Sequence, residues 1–283
     1  MSPIRTPPRH QGRAGRLRRW APRAVLLVAL AVVTTGCQSN DFTRQGMLEP
    51  VTKQGQIILN MWQGSWVAAW AVGAVVWGGI LWAVIFHRKR GDALPRQVRY
   101  NLPIELLYTV LPFIMVGVLF FFTARDENLI GENPKNPDVK IKVIGEQWKW
   151  QFIYPQYAAG PNSVVTQDGA MWRPGLPTRQ LPLLEIPTNR TVQFNLTSVD
   201  VVHAFWVVPF EFKRDVIPGY ANRFTVTPTK TGNFIGRCSE LCGVYHSRML
   251  FRVKIVSPAE FDRWIHAQQS QQAQQAASAS GGA

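Results

Sequence analysis

Cysteine is scarce in this sequence, with only three among 283 residues. The motif Cys-x-x-Cys-His does not occur, which excludes covalent attachment of a c-type haem. No internal repeat is visible. The length and bulk composition fit a globular chain of one or two domains, but charged and apolar residues are unevenly distributed along it.

Acidic residues are absent from residues 1–23, which carry seven arginines. A short apolar run follows, too short to span a bilayer of about 30 Å, and it ends at Gly36 and Cys37. This order predicts a secretory signal peptide over residues 1–36. The site also resembles that of a bacterial lipoprotein, at which Cys37 would be lipidated; an ordinary signal cut nearby would leave a free thiol. Because these arginines supply half of the net charge of +14, we expect no nucleic-acid partner.

Charged residues are also absent between Lys53 and His87, and at 1.5 Å per residue about 20 residues cross the hydrocarbon as a helix. A second apolar run follows a loop that is rich in lysine and arginine. The positive-inside rule places that loop, residues 87–103, in the cytoplasm, so the chain beyond residue 123 would lie on the outer face. The sequence therefore predicts a transmembrane hairpin over residues 57–123, with spans at about 62–86 and 104–123.

Residues 124–257 are rich in β-branched and aromatic residues, and turn-forming residues separate short runs of them. Strands are predicted at Val139–Ile144, Trp148–Tyr154, Leu183–Ile186, Thr191–Thr197, Arg223–Thr227, Asn233–Arg237 and Leu250–Val256. Such a pattern indicates a Greek-key sandwich or barrel, with a loop-like insert at Gly160–Gln180. Residues 258–283 predict a short helix that starts at Pro258 and a disordered tail after Gln268.

Two thiols, an imidazole and a thioether lie close together in one segment, at Cys238, Cys242, His246 and Met249, and His203 precedes them. Thiolate and thioether ligands favour copper, while imidazole suits copper or zinc. The segment falls between two predicted strands, where a loop can hold a metal rigidly.

Several sites use some of these residues. A disulfide is the ordinary reading of two cysteines in an exported domain, but it gives His246 and Met249 no role. A zinc site is possible, although Cys-x2-Cys is the commoner spacing and methionine is a poor zinc ligand. A mononuclear blue-copper site needs one cysteine only. Two thiolates that bridge two copper ions, with one imidazole for each metal, use every ligand present.

The segment Cys238–Met249 resembles the dinuclear CuA motif of cytochrome c oxidase subunit II, and His203 lies at the family's spacing before it. The resemblance runs from about residue 57 to 265, and its details are most like the actinobacterial branch. It implies an all-β cupredoxin-like Greek-key sandwich on a two-helix transmembrane hairpin, anchored in the bacterial plasma membrane. It also implies that the chain passes electrons from a cytochrome c to subunit I, which reduces oxygen to water and translocates protons.

The resemblance implies a role for each site residue. Cys238 and Cys242 would bridge the coppers, His203 and His246 would each bind one, and Met249 and the Glu240 carbonyl would be weak ligands. The Glu240 side chain would also reach a magnesium shared with subunit I. Outside this segment, Trp148 would receive the electron, and Glu105 would stand at the mouth of a proton channel in subunit I.

Subunits I and III are the partners that the resemblance implies, and haems belong to partner subunits only. Residues 124–283 carry a net charge of +4, which argues against steering of a soluble basic cytochrome c and favours a membrane-bound dihaem cytochrome c of a bc complex. A thioredoxin-like copper chaperone would have its histidine downstream of the cysteines. A quinol-oxidase subunit would lack the copper ligands, and a purely structural subunit would not need them.

Overall fold

The computed structural model of the chain describes residues 43–91, 94, 97–158, 165–169, 171–175 and 177–280. The predicted signal peptide 1–36 and Cys37 therefore lie outside the described residues. The chain divides into two compact units, residues 1–47 and 48–283. The described part of the first unit includes a turn closed by a hydrogen bond from the Met47 N–H to the Arg44 carbonyl. The second unit contains the hairpin and the β-domain.

Two long helices, α1 (Lys53–Phe86) and α2 (Leu102–Ile130), form the hairpin, and both are long and apolar enough to cross a membrane. The predicted spans lie inside them. Helix α1 begins earlier than its apolar run because the side chain of Thr52 accepts a hydrogen bond from the Gly55 N–H and caps the first turn. The apolar runs in the sequence thus predict only the part of each helix that could lie in the hydrocarbon of a membrane, and not the full length of the helix.

Within the described residues, ten strands form the β-domain, in two five-stranded sheets. They are β1 Val139–Glu146, β2 Lys149–Tyr154, β3 Val165–Gln167, β4 Leu183–Pro187, β5 Val192–Ser198, β6 His203–Val207, β7 Phe212–Val216, β8 Asn222–Val226, β9 Gly232–Cys238 and β10 Leu250–Val256. The sheet orders are β3-β2-β1-β5-β8 and β4-β10-β9-β6-β7. The pairs β1/β5 and β4/β10 are parallel, and the chain crosses between the sheets repeatedly, as in a cupredoxin-like Greek-key sandwich.

The core between the sheets is largely aromatic. Phe205 stacks on Phe251 with ring centroids 5.0 Å apart, Phe152 meets Phe251 edge-on at 5.2 Å, and all three are buried. Aromatic side chains bury large areas and pack against one another in specific geometries. This cluster therefore fixes β6 and β10 close to the positions from which the candidate ligands project.

A short extended segment before α1 ties the hairpin to the sandwich. The Val51 N–H donates to the Pro209 carbonyl at 3.1 Å, and the Thr229 N–H donates to the Val51 carbonyl at 2.8 Å. The Lys53 N–H donates to the Thr227 carbonyl at 2.9 Å. These three hydrogen bonds hold the start of α1 against the sandwich.

The last helix, α3 (Pro258–Ser280), is longer than the short helix that the sequence predicted. Phe261 and Ile265 in its first part are buried against the sandwich. The Gln- and Ala-rich part beyond Gln268, predicted as a disordered tail, is helical as far as Ser280. Alanine and glutamine have high helix propensity, and no glycine or proline interrupts the run before residue 281.

Candidate metal centre

The two cysteines of the predicted motif lie together at one end of the sandwich. Cys238 is the last residue of β9, and Cys242 lies in the loop that leads to β10. Both thiols are free and buried, and their Sγ atoms are 3.8 Å apart. A disulfide has its sulfurs about 2.05 Å apart, so the pair is held at the distance of two ligands rather than of a bond.

Each sulfur has one imidazole nitrogen beside it. The Nδ1 atom of His203 lies 3.8 Å from Cys238 Sγ, and the Nδ1 atom of His246 lies 3.6 Å from Cys242 Sγ. Nitrogen and sulfur donors bound tetrahedrally to one metal at about 2.0 and 2.3 Å are about 3.5 Å apart. The observed separations therefore suit donors that share a metal.

Each sulfur also has one weak donor nearby. The Glu240 carbonyl oxygen lies 3.2 Å from Cys238 Sγ, and Met249 Sδ lies 3.9 Å from Cys242 Sγ. Three sulfurs, two nitrogens and one oxygen make six donor atoms, more than a tetrahedral zinc takes. His203, Cys238 and Cys242 form a group whose ligand atoms all lie within 4.8 Å of one another.

The sandwich brings these residues together from different strands. Strands β6 and β9 pair antiparallel with Phe205 opposite Cys238, so His203, at the start of β6, lies beside the end of β9. The Cys238 N–H donates to the Met249 carbonyl at 3.1 Å and closes the ligand loop at its base. A one-turn helix, His246–Arg248, then aims His246 back at the sulfurs.

His203 is fully buried, and its second nitrogen is occupied. Nε2 lies 2.9 Å from Asp200 Oδ1, which leaves Nδ1 to face the thiols. A histidine ligand held in this way by a carboxylate has a fixed ring orientation and tautomer. Gly145 leaves room for the ring, because a Cβ there would lie 3.0 Å from His203 Cδ2.

The electrostatics favour one thiolate before any metal binds. Burial acts to raise the pKa of Cys238, but hydrogen bonds with His203 and with the backbone of Ala204 and Glu240 outweigh it, so this pKa is lowered to about 7. Burial and the charge on Cys238 raise the pKa of Cys242 to about 12. Burial opposes the charged form of His203, yet Cys238 and Asp200 raise its pKa. A metal must therefore displace a proton from Cys242 in order to bind both sulfurs.

Three residues of the β1–β2 hairpin contact the ligand loop. Gln147 Nε2 and Trp148 Nε1 both donate to the Cys242 carbonyl, at 2.6 and 3.3 Å, and Trp150 Nε1 donates to the Met249 carbonyl at 3.3 Å. The sequence singled out Trp148 only. The roles of Asp200, Gln147 and Trp150 were missed, and for Asp200 the carboxylate three residues before His203 was an available signal.

The other predicted residues lie apart from this centre or outside the described residues. Glu105 is in the first turn of α2, where its Oε1 accepts a hydrogen bond from the Asn101 N–H at 3.0 Å. The side chain of Glu240 is exposed, although its carbonyl faces Cys238. Cys37 lies outside the part of the chain that the structure describes.

The chain is similar in sequence to proteins of known family. Residues 139–256 match the family model described as cytochrome C oxidase subunit II, periplasmic domain. A probable cytochrome c oxidase subunit 2 of Streptomyces avermitilis is 46% identical over 276 residues, which cover 88% of this chain and 86% of that protein. The cytochrome c oxidase subunit 2 of Mycobacterium tuberculosis is 35% identical over 307 residues, covering 92% and 84%.

A solved structure is also similar. The crystal structure of the periplasmic domain of subunit II of cytochrome oxidase of Bradyrhizobium japonicum is 33% identical, with a TM-score of 0.42, and the match covers 48% of this chain and 96% of that one. The relatives named above from Streptomyces and Mycobacterium are actinobacterial, as the sequence resemblance predicted. Their identity and coverage show that this chain belongs to the cytochrome c oxidase subunit II family.

Proposed function

We propose that this chain is the electron-entry subunit of a haem–copper cytochrome c oxidase, and that Cys238 and Cys242 hold a dinuclear copper (CuA) centre. The proposal rests on the presence of two similar sets of donor atoms, one around each cysteine sulfur. Two thiols lie 3.8 Å apart, and each has its own imidazole nitrogen and its own weak donor within 3.9 Å. Soft sulfur ligands with imidazole favour copper.

When bound, a copper pair supplies one-electron storage with little change in bond length, because a single charge is spread over two metals. The chain's residues provide a rigid and dry cage for it. Met249 and His203 are fully buried, and the aromatic core lies behind them. Such a cage limits the relaxation that accompanies a change of charge, and the weak ligands tune the potential.

Electrons would enter at Trp148. Its indole is partly buried, packs edge-on against Tyr245 with ring centroids 4.8 Å apart, and donates a hydrogen bond to the Cys242 carbonyl. An aromatic ring that reaches from the surface to a ligand's own backbone is well suited to conduct an electron from a docked cytochrome c.

The contacts with subunit I involve two acids. Glu240 would bind a magnesium at that interface through its exposed side chain, while its carbonyl serves a copper. Glu105 would stand at the mouth of a proton channel in subunit I, through which proton translocation is coupled to the reduction of oxygen to water. Both acids lie on surfaces that a membrane partner can cover.

The whole chain would lie in the bacterial plasma membrane with the sandwich on the outer face, together with subunits I and III, which hold the haems. The donor would be a membrane-bound dihaem cytochrome c of a bc complex. Removal of residues 1–36 and lipidation of Cys37 would add a second anchor on the same face as the sandwich.

The test is a count of metal and of unpaired electrons in the full chain, purified in detergent and loaded with copper. We expect two coppers per chain and an EPR spectrum of one unpaired electron shared equally by two copper nuclei. Replacing Cys242 by serine should abolish the shared signal, whereas Cys37→Ser, the matched cysteine outside the site, should leave it unchanged. A single bound zinc, or a disulfide without metal, would refute the copper assignment.

A further inference from the structure

Gln147 connects the two sides of the metal centre. It lies in the turn between β1 and β2, and its side chain is exposed. Its Nε2 donates to the Cys242 carbonyl at 2.6 Å, and its backbone N–H donates to Asp200 Oδ2 at 2.7 Å. One residue therefore contacts both the ligand loop and the carboxylate that orients a ligand.

The carboxylate of Asp200 connects Gln147, through His203, to the thiol of Cys238. Its Oδ1 lies 2.9 Å from His203 Nε2 and accepts a hydrogen bond from the Val201 N–H at 2.6 Å. His203 in turn faces Cys238. A continuous hydrogen-bonded path thus runs from His203 through Asp200 and Gln147 to Cys242.

At the Cys242 end of this path, Gln147 packs closely against the ligand loop. Gly243 follows with φ +124°, a conformation that side chains disfavour, and a Cβ there would lie 3.1 Å from Gln147 Nε2. The second donor to the same carbonyl, Trp148 Nε1, is more distant at 3.3 Å. Of the two side-chain donors to the Cys242 carbonyl, Gln147 is therefore the closer one.

We infer that Gln147 is a positioning residue that couples the His203 side of the centre to the Cys242 side, so that both thiolates keep one geometry when the charge on the metals changes. The inference rests on the proposed copper function. Gln147 is an exposed turn residue outside the aromatic core, so its substitution should leave the sandwich folded.

The first test uses the copper-free chain. Gln147→Met keeps the length of the side chain but removes the donor, and Gln147→Glu replaces the donor by an acceptor. In both variants we expect backbone amide exchange at His246 and Arg248, within the ligand loop, to accelerate about fivefold, the factor that matches a hydrogen bond of about 1 kcal/mol. Gln180→Met, an exposed glutamine outside the β1–β2 hairpin, is the control and should exchange as the wild type does.

The second test uses the copper-loaded chain with Gln147→Met. Copper content and melting temperature should equal those of the wild type, while the EPR hyperfine pattern becomes unequal between the two nuclei and the reduction potential shifts. Unchanged loop exchange in both variants, or an unchanged hyperfine pattern with Gln147→Met, would overturn the coupling role. A wild-type chain that binds no copper pair would refute the proposed function instead, and the copper-free exchange result would still report on Gln147.

Discussion

At the scale of single residues, the ligand types and their spacing were predictable, whereas among the residues that orient them only Asp200 has a local signal in the sequence. Thiol, imidazole and thioether side chains carry a chemical signal wherever they stand together, so Cys238, Cys242, His246 and Met249 could be picked out of the sequence. Asp200 lies only three residues before His203, but Gln147 acts through hydrogen bonds across 53 positions to Asp200 and 95 positions to Cys242. Such contacts depend on how β1, β6 and β9 meet, which no local pattern encodes.

Met249 provides a prediction at this scale. Leucine has nearly the same volume as methionine but no sulfur, and such swaps cost less than about 1.5 kcal/mol in a core. Met249→Leu should therefore keep both coppers and shift the reduction potential by roughly 60 mV, a tenfold change in a one-electron equilibrium. Copper analysis and a spectroelectrochemical titration measure the two quantities.

Met115→Leu, the same change in the membrane hairpin, is the control and should leave the potential unchanged. Loss of all copper with Met249→Leu would contradict a weak axial role, since it would mean that the thioether is needed to hold the metal.

At the scale of elements, seven of the ten strands in the described part of the chain were predicted, and β3, β6 and β7 were not. Strand β6, which begins with His203, is buried at four of its five positions and so lacks the alternation that marks a strand in a sequence. Strand β7 is an edge strand and contains three consecutive charged residues, Lys213, Arg214 and Asp215. Charged side chains protect an edge strand from pairing with another chain, but in a sequence three of them in a row are more typical of a loop. The parallel pairing of β1 with β5 and of β4 with β10 could not be predicted either, because each pair joins strands that are distant in the sequence.

The segment before α1 is the element that ties the membrane hairpin to the metal domain. Val51 is only 5% exposed and belongs to the sandwich core. Val51→Asp would bury a carboxylate there, and we expect it to lower the free energy of unfolding by about 2 to 4 kcal/mol. The measurement is thermal unfolding of the copper-free full chain in detergent.

Leu48→Asp is the matched control, since Leu48 is 50% exposed and should tolerate the charge. Equal melting temperatures for the two variants would mean that the segment is not part of the cooperative unit.

At the scale of the whole molecule, the distribution of charge bears on the identity of the electron donor. The part of the chain beyond residue 123 is net basic. Beside Trp148, Lys149 lies 3.5 Å from a carboxylate oxygen of Glu146 and 3.8 Å from one of Asp168. The single lysine offsets one of these two negative charges, which weakens the negative surface that a basic cytochrome c would need. The rate of docking of such a donor depends on long-range attraction, which a basic domain does not provide.

Because the domain is net basic, we expect the purified oxidase complex to oxidise a small basic cytochrome c slowly and with weak dependence on salt. Lys149→Glu would free Glu146 and Asp168 and add a third carboxylate, so the second-order rate should rise about tenfold at low ionic strength and fall steeply as salt is added. Lys135→Glu changes the net charge equally, but in the connection between α2 and β1, and should have a smaller effect. Stopped-flow measurements across ionic strengths compare the three proteins. A wild-type complex that is already fast and steeply inhibited by salt would show that a soluble cationic donor docks on this surface, and a tethered donor would then be unnecessary.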